Sequence, residues 1–237
     1  MTLSREEIEK LRTPTWEQAK AAMRAGDTER AIELIDRAVG QWRSLQEYSI
    51  NWITALLSYI GRELGEVAVE DALRDTGERF VKPRRDTGVD WASLPADARA
   101  KVIARAMVAN FGAVDVDEDD EKIVLSFDCG SGGQLIDDGR YEGNNAYLTL
   151  RERAPRTFMQ DALAVYCAHC SVNNEIQAVE WGSIPTSIEY PQSEPGGRCV
   201  HHVYKDVAAV PTAAYERIGK DKPISSAEAD PPGGTGT

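Results

Sequence analysis

Residues 112–129, GAVDVDEDDEKIVLSFDC, separate two kinds of sequence. Val114 and Val116 alternate with acids, Asp117 to Asp120 make a charged turn, and Lys122 to Cys129 alternates again. A period of two sends successive side chains to opposite faces, so the stretch predicts a β-hairpin with one covered face. Upstream the apolar period is that of a helix, and downstream short strands return. The fold class implied is α+β: an antiparallel helical region over residues 1–112, then a small, mostly antiparallel sheet crossed by a helix over residues 113–224.

In the helical region Ser4-Arg-Glu-Glu7 and Thr15-Trp-Glu-Gln18 both have capping-box spacing, in which the first side chain accepts from a backbone N–H and the fourth answers it. Helices are predicted over residues 16–23 and 28–42, around the break at Gly26-Asp27, then over 45–64, 67–80 and 97–111. Pro83 and Gly88 mark a polar connection between the last two. Trp42, Leu45, Tyr48 and Trp52 form an apolar stripe that reads as core, with a ligand pocket as the alternative. Further on, strands are predicted over 147–151, 186–190 and 199–204, and a helix over 157–177. Residues 225–237 are small and Pro/Gly-rich, the composition of a disordered tail.

Thirty-nine acidic residues against twenty-seven basic ones give a formal charge of −12. Such a chain repels phosphate backbones and anionic lipid, so neither nucleic acid nor membrane is an expected partner. No stretch approaches eighteen consecutive apolar residues, and the first twelve lack the pattern of a secretory signal. A cytoplasmic location is therefore expected. Thiols stay reduced there, and clustered cysteines read as metal ligands or catalytic groups before they read as disulfides.

All four cysteines and all three histidines lie between Cys129 and His202. Cys167-Ala-His-Cys170 puts two thiols three apart, on one side of the predicted helix, with His169 turned away. Alternation along residues 199–204 puts Cys199 and His201 on one face and His202 on the other. Cys129, Cys167, Cys170 and Cys199, with His201 and His169 as further candidates, thus make a ligand set for zinc or, failing that, iron. If a cysteine is left over it can be a nucleophile, and Cys129-Gly-Ser-Gly-Gly133 supplies a bend whose N–H groups hold an anion. Glu175 is the candidate general base, against the reading of a solvated helix carboxylate. Arg140, Tyr141 and Arg151 to Arg156 add positive charge, favouring a carboxylate-bearing small molecule.

Tyr166-Cys-Ala-His-Cys170, a strand near Ile188 and Glu194-Pro-Gly-Gly-Arg-Cys199 opening a last strand together resemble the closing segment of the L-2-amino-thiazoline-4-carboxylic acid hydrolase-like group and the related four-vinyl-reductase ligand-binding domains. The resemblance covers about the last eighty ordered residues. It implies an α+β domain with a small-molecule pocket, hydrolytic with a cysteine or metal at its heart, or sensory with a structural zinc. The expected function is a zinc-dependent hydrolase or lyase acting on a small anionic molecule. A non-catalytic sensor domain with a structural metal and a metal-free cysteine hydrolase are the alternatives, and the apolar helices allow a homodimer.

Overall fold

The computed structural model describes residues 3–86, 88–185 and 187–223. They form two compact units, Met1–Asn51 and Trp52–Thr237. The division falls inside a helix rather than at residue 112, where the sequence changes character.

In the first unit, α1 (Arg5–Arg12) carries the expected capping box, with the Ser4 hydroxyl accepting from Glu7 N at 3.2 Å and Glu7 Oε2 from Ser4 N at 2.7 Å. The second expected box does not form. Thr15 is already helical in α2 (Thr15–Arg24) behind the cap Pro14, and Gln18 Nε2 instead reaches back to Thr13 O at 2.8 Å. Asp27 Oδ1 accepts from Arg30 N at 3.0 Å and starts α3 (Thr28–Leu64), 37 residues long. The two helices expected at 28–42 and 45–64 are therefore one, because nothing between them breaks the ladder and the lone Gly40 is tolerated. Trp42, Leu45, Tyr48 and Trp52 are all exposed, which corrects the reading of this stripe as core. Trp42 and Leu45 border an apolar groove of about 730 Å³ with Trp16, Met23, Ile35 and Val39.

The second unit continues α3 into α4 (Glu66–Thr76), which runs on as a π-helix over Gly77–Val81 and then α5 (Lys82–Arg85). The polar connection expected from Lys82 starts as helix instead: Pro83 is the second residue of the short α5, which Asp86 N closes by donating to Lys82 O. Next come α6 (Ala96–Ala109), β1 (Val114–Glu118), β2 (Lys122–Phe127), α7 (Gly132–Asp137), β3 (Thr149–Leu150), β4 (Leu163–Ala164), α8 (Gln177–Glu180), β5 (Ile188–Tyr190), β6 (Cys199–Tyr204) and α9 (Thr212–Glu216). The predicted hairpin is β1–β2, and among the described residues one sheet runs β1-β2-β6-β5, antiparallel throughout, so the fold is α+β. Ile123, Leu125 and Val203 cover one side of it against Ala96, Ala100 and Ile103 of α6. A second core joins Leu57, Val69 and Leu73 to Val165, Val172 and Ile176.

The helix expected over 157–177 is not one helix. Phe158 and Met159 take left-handed φ values of 54° and 58°, which ends the 3₁₀ turn Pro155–Thr157 and lets β4 form. The chain resumes as a 3₁₀ turn, Val165–Cys167, and a π-helix, Cys170–Ile176. Tertiary contacts fix that register: Asn173 Nδ2 donates to Leu73 O at 2.8 Å and Gln177 Nε2 to Arg74 O at 3.0 Å, two carbonyls near the end of α4. Gly77 permits the approach, because a Cβ there would overlap the Gln177 carboxamide. Among the described residues no helix is long and apolar enough to cross a membrane. Thr186 and the tail expected at 225–237 lie outside the described residues.

Candidate functional site

Strand β2 ends at Phe127, and the bend Cys129–Gly133 turns the chain into α7. Opposite Phe127 in the ladder is Cys199, the first residue of β6, and opposite Leu125 is His201. Alternation turns Cys199 and His201 inward, as the sequence implied, and leaves His202 half-buried between Tyr190 and Tyr204. The 3₁₀ turn and the π-helix bring in Cys167, His169, Cys170 and Asn174 from the other side. The result is a cavity of about 140 Å³ that all four cysteines line, together with His169, His201, Tyr166, Asn174 and Glu189. A π-helix at such a place is a recurrent feature of functional sites, since it displaces side chains that a regular helix would line up.

Cys129 is the thiol whose surroundings favour charge. Its Sγ lies 3.4 Å from Ser131 Oγ. The Cys199 thiol donates to it first, backed by the Gly133 and Ser131 backbone N–H groups and the Ser131 hydroxyl, and together they lower it from 9.0 to about 5. Cys199 is pushed up in return, by that same hydrogen bond and by burial, and accepts from Gln192 N at 3.3 Å. Burial pushes up Cys167 and Cys170 as well. One low thiol among three raised ones is the division of labour expected of a nucleophile with proton-bearing neighbours.

The imidazoles are held by specific partners. His169 Nδ1 donates to Tyr166 O at 2.6 Å, and its Nε2 lies 3.6 Å from Cys170 Sγ. His201 Nδ1 is 3.1 Å from Ser187 Oγ and 3.8 Å from Glu189 Oε1, and its ring meets Phe127 edge-on. Asn174 Nδ2 donates to Glu189 Oε2 at 3.2 Å. Burial pushes the Tyr166 hydroxyl up to about 12, so it stays a neutral donor.

Of the residues proposed from sequence, Cys129, Cys167, Cys170, Cys199, His169 and His201 line one cavity. His169, a candidate ligand that a regular helix would turn away from Cys167, joins them because the segment is not a regular helix. Glu175 does not line the cavity, nor is it solvated. It is fully buried, and its Oε1 accepts from Arg217 Nη2 and from Glu189 N, each at 2.6 Å. It thus positions the backbone of Glu189 from behind. Glu189 itself is absent from the sequence reading. Its only signal was an acid within a short predicted strand, and its place follows from being the ladder partner of His201.

Two further expectations meet the geometry. Among the described residues, no three or more His, Cys, Asp or Glu side chains are disposed to hold a metal ion. The cluster of positive charge does not reach the cavity. Arg156 is buried with Glu66, Glu70 and Glu152, Arg140 stacks on Tyr147, and the charged side chains of the described lining are Asp128 and Glu189.

The bend at Cys129 depends on Gly130, where a methyl group would overlap the Asn110 carbonyl oxygen. Gly130→Ala is expected to cost about 1–3 kcal/mol, the usual range for forced overpacking, read as a lower urea midpoint. It should also slow alkylation of Cys129 in the folded chain. An unchanged midpoint with unchanged alkylation would show that the close approach is unimportant.

No protein-family model, no curated protein and no solved structure matches this chain.

Proposed function

We propose that this chain is a thiol-dependent enzyme, in which Cys129 attacks an electrophilic carbon of a small molecule held in the cavity and the bond is then hydrolysed or eliminated. The observation that carries this reading is the set of donors converging on Cys129 at the wall of a cavity that His201 and Glu189 share. The thiolate forms the covalent bond, and the Ser131 and Gly133 N–H groups are placed to hold the negative charge left by substrate or sulfur. His201, oriented through Nδ1 by Ser187 and Glu189, moves protons to the leaving group and from water. Hydrolysis is also one of the two activities that the resemblance of the closing segment implies, a sensory domain being the other. The cytoplasm would keep all four cysteines as the free thiols found here.

The test is iodoacetamide labelling of the folded chain from pH 4 to 9, with the labelled peptide identified by mass. One fast thiol is expected, at Cys129, with a rate that rises around a midpoint of about 5 and is flat by neutrality. An ordinary thiol would still be rising at about 8.5. A fast thiol at another position, or none, would sink the reading.

A second reading, a zinc or iron centre, rests on the four cysteines and two histidines that line one cavity, although among the described residues no three of them are disposed to hold a metal ion as they stand. Elemental analysis of the chain purified without added metal separates the two. About one metal ion per chain, with the thiols protected from alkylation, would move the assignment to a metal-dependent hydrolase or a structural metal site.

A further inference from the structure

We infer that Cys129 and Cys199 are a redox-active dithiol, which a hydroperoxide converts to an intramolecular disulfide. The pair is defined by contact rather than by sequence. Seventy residues apart in the chain, the two sit at the end of β2 and the start of β6, with Phe127 and Cys199 facing each other in the ladder and the Cys199 thiol donating to Cys129 Sγ. Their environments differ in the way that thiol exchange requires. Cys129 receives three donors besides Cys199 and opens on the cavity, while Cys199 is buried, keeps its proton and is held by the Gln192 N–H. Neither Cys167 nor Cys170 has donors of this kind. The cavity, about 140 Å³, admits hydrogen peroxide or a small alkyl hydroperoxide.

The chemistry balances without another reagent. The Cys129 thiolate attacks the outer peroxide oxygen and the O–O bond breaks. This gives a sulfenic acid at Cys129 and an alkoxide or hydroxide that leaves as alcohol or water after taking a proton from solvent. Cys199 sulfur then attacks the sulfenic sulfur, forming the S–S bond. The hydroxide expelled combines with the Cys199 proton and leaves as water. The dithiol loses two electrons and two protons, and the peroxide gains them. Oxidation also ties up the sulfur that the proposed enzyme needs, so the oxidised chain would be inactive until a dithiol such as dithiothreitol reverses the exchange. The dithiol stands or falls apart from the hydrolytic reading, because the disulfide is detected without any substrate.

The experiment treats the full chain at neutral pH with one equivalent of hydrogen peroxide, blocks the remaining thiols with N-ethylmaleimide, and maps the peptides by mass. The expected result is the loss of two hydrogens, a fall from four titratable thiols to two, a Cys129–Cys199 linked peptide, and full recovery with dithiothreitol. In Cys199→Ser, the sulfenic acid should persist and be trapped at Cys129 by dimedone, at least about tenfold above the parent chain. Circular dichroism would confirm that this variant is folded. Four remaining thiols, a bond between any other pair, or irreversible over-oxidation of Cys129 in the parent chain while Cys199 stays free would each overturn the inference. The mapping on the parent chain decides it even if the variant does not fold.

Discussion

Changing Cys129 to serine is expected to abolish the fast thiol reaction of the folded chain and, with a substrate in hand, to lower turnover by on the order of 10⁴-fold or more. The direction of the labelling effect follows from two opposed terms. The donors on Cys129 favour the thiolate, the form that attacks, so it reacts at a pH where an ordinary thiol, near about 8.5, is still protonated. The lower basicity of such a thiolate offsets part of that gain. Cys167 and Cys170 are held protonated by burial, and Cys199 by its hydrogen bond to residue 129 and by burial, which remains in the variant, so none is expected to take over the fast phase. Cys129→Ser replaces the sulfur that accepts from Cys199 with a hydroxyl, and denatured Cys129→Ser should still show every other thiol. Survival of a fast phase in this variant would place the reactive group elsewhere and end the assignment.

Glu175→Ala should be the most destabilising single change near the site, by about 3–5 kcal/mol. It takes the acceptor from a partly buried arginine and leaves a buried N–H without one. Glu175 is fully buried, the Arg217 side chain is 14% exposed, and the oxygen Oε1 serves both Arg217 and Glu189 N. A chemical-denaturation series measures the cost, and a loss below about 1 kcal/mol would mean that water or a rearrangement replaces the carboxylate. The pH dependence has a defined sign. Burial, outweighing the pull of Arg217, raises Glu175 from 4.5 to about 8, so the folded state binds a proton that the unfolded state releases. The stability attached to this group is therefore fully present below about 4.5 and is lost as pH rises through about 8. Glu175→Gln keeps the shape and should flatten that slope. An unchanged slope would assign the pH dependence to another group.

The two variants separate chemistry from support. Cys129→Ser is expected to keep the fold and lose the reaction. Glu175→Ala acts through Glu189, whose backbone it holds, and through the α9 end of the chain, where Arg217 resides.

Local pattern was enough for much of this protein. The Ser4 capping box, the β1–β2 hairpin and the inward pair Cys199 and His201 each depend on a period or spacing that neighbouring residues enforce, so all three were legible. The α+β class followed from the same periods, and the gathering of cysteines and histidines after residue 128 pointed to the site. What a period cannot specify is which face of an element meets a partner. The Trp42–Trp52 stripe has the spacing of core and is exposed. The 157–177 segment has helical spacing, yet the left-handed Phe158 and Met159 and the pull of Asn173 and Gln177 on the end of α4 turn it into a strand, a 3₁₀ turn and a π-helix. That change aims His169 into the cavity. Likewise, Glu175 looked like a surface acid until its partner, 42 positions away, was in place. The sequence by itself determined the hairpin, most of the helical segments and the chemical types available to a site, because those depend on contacts within a few residues. Only the tertiary structure decided which thiol gathers donors and which acid is buried, because donors and desolvation come from segments far apart in the chain.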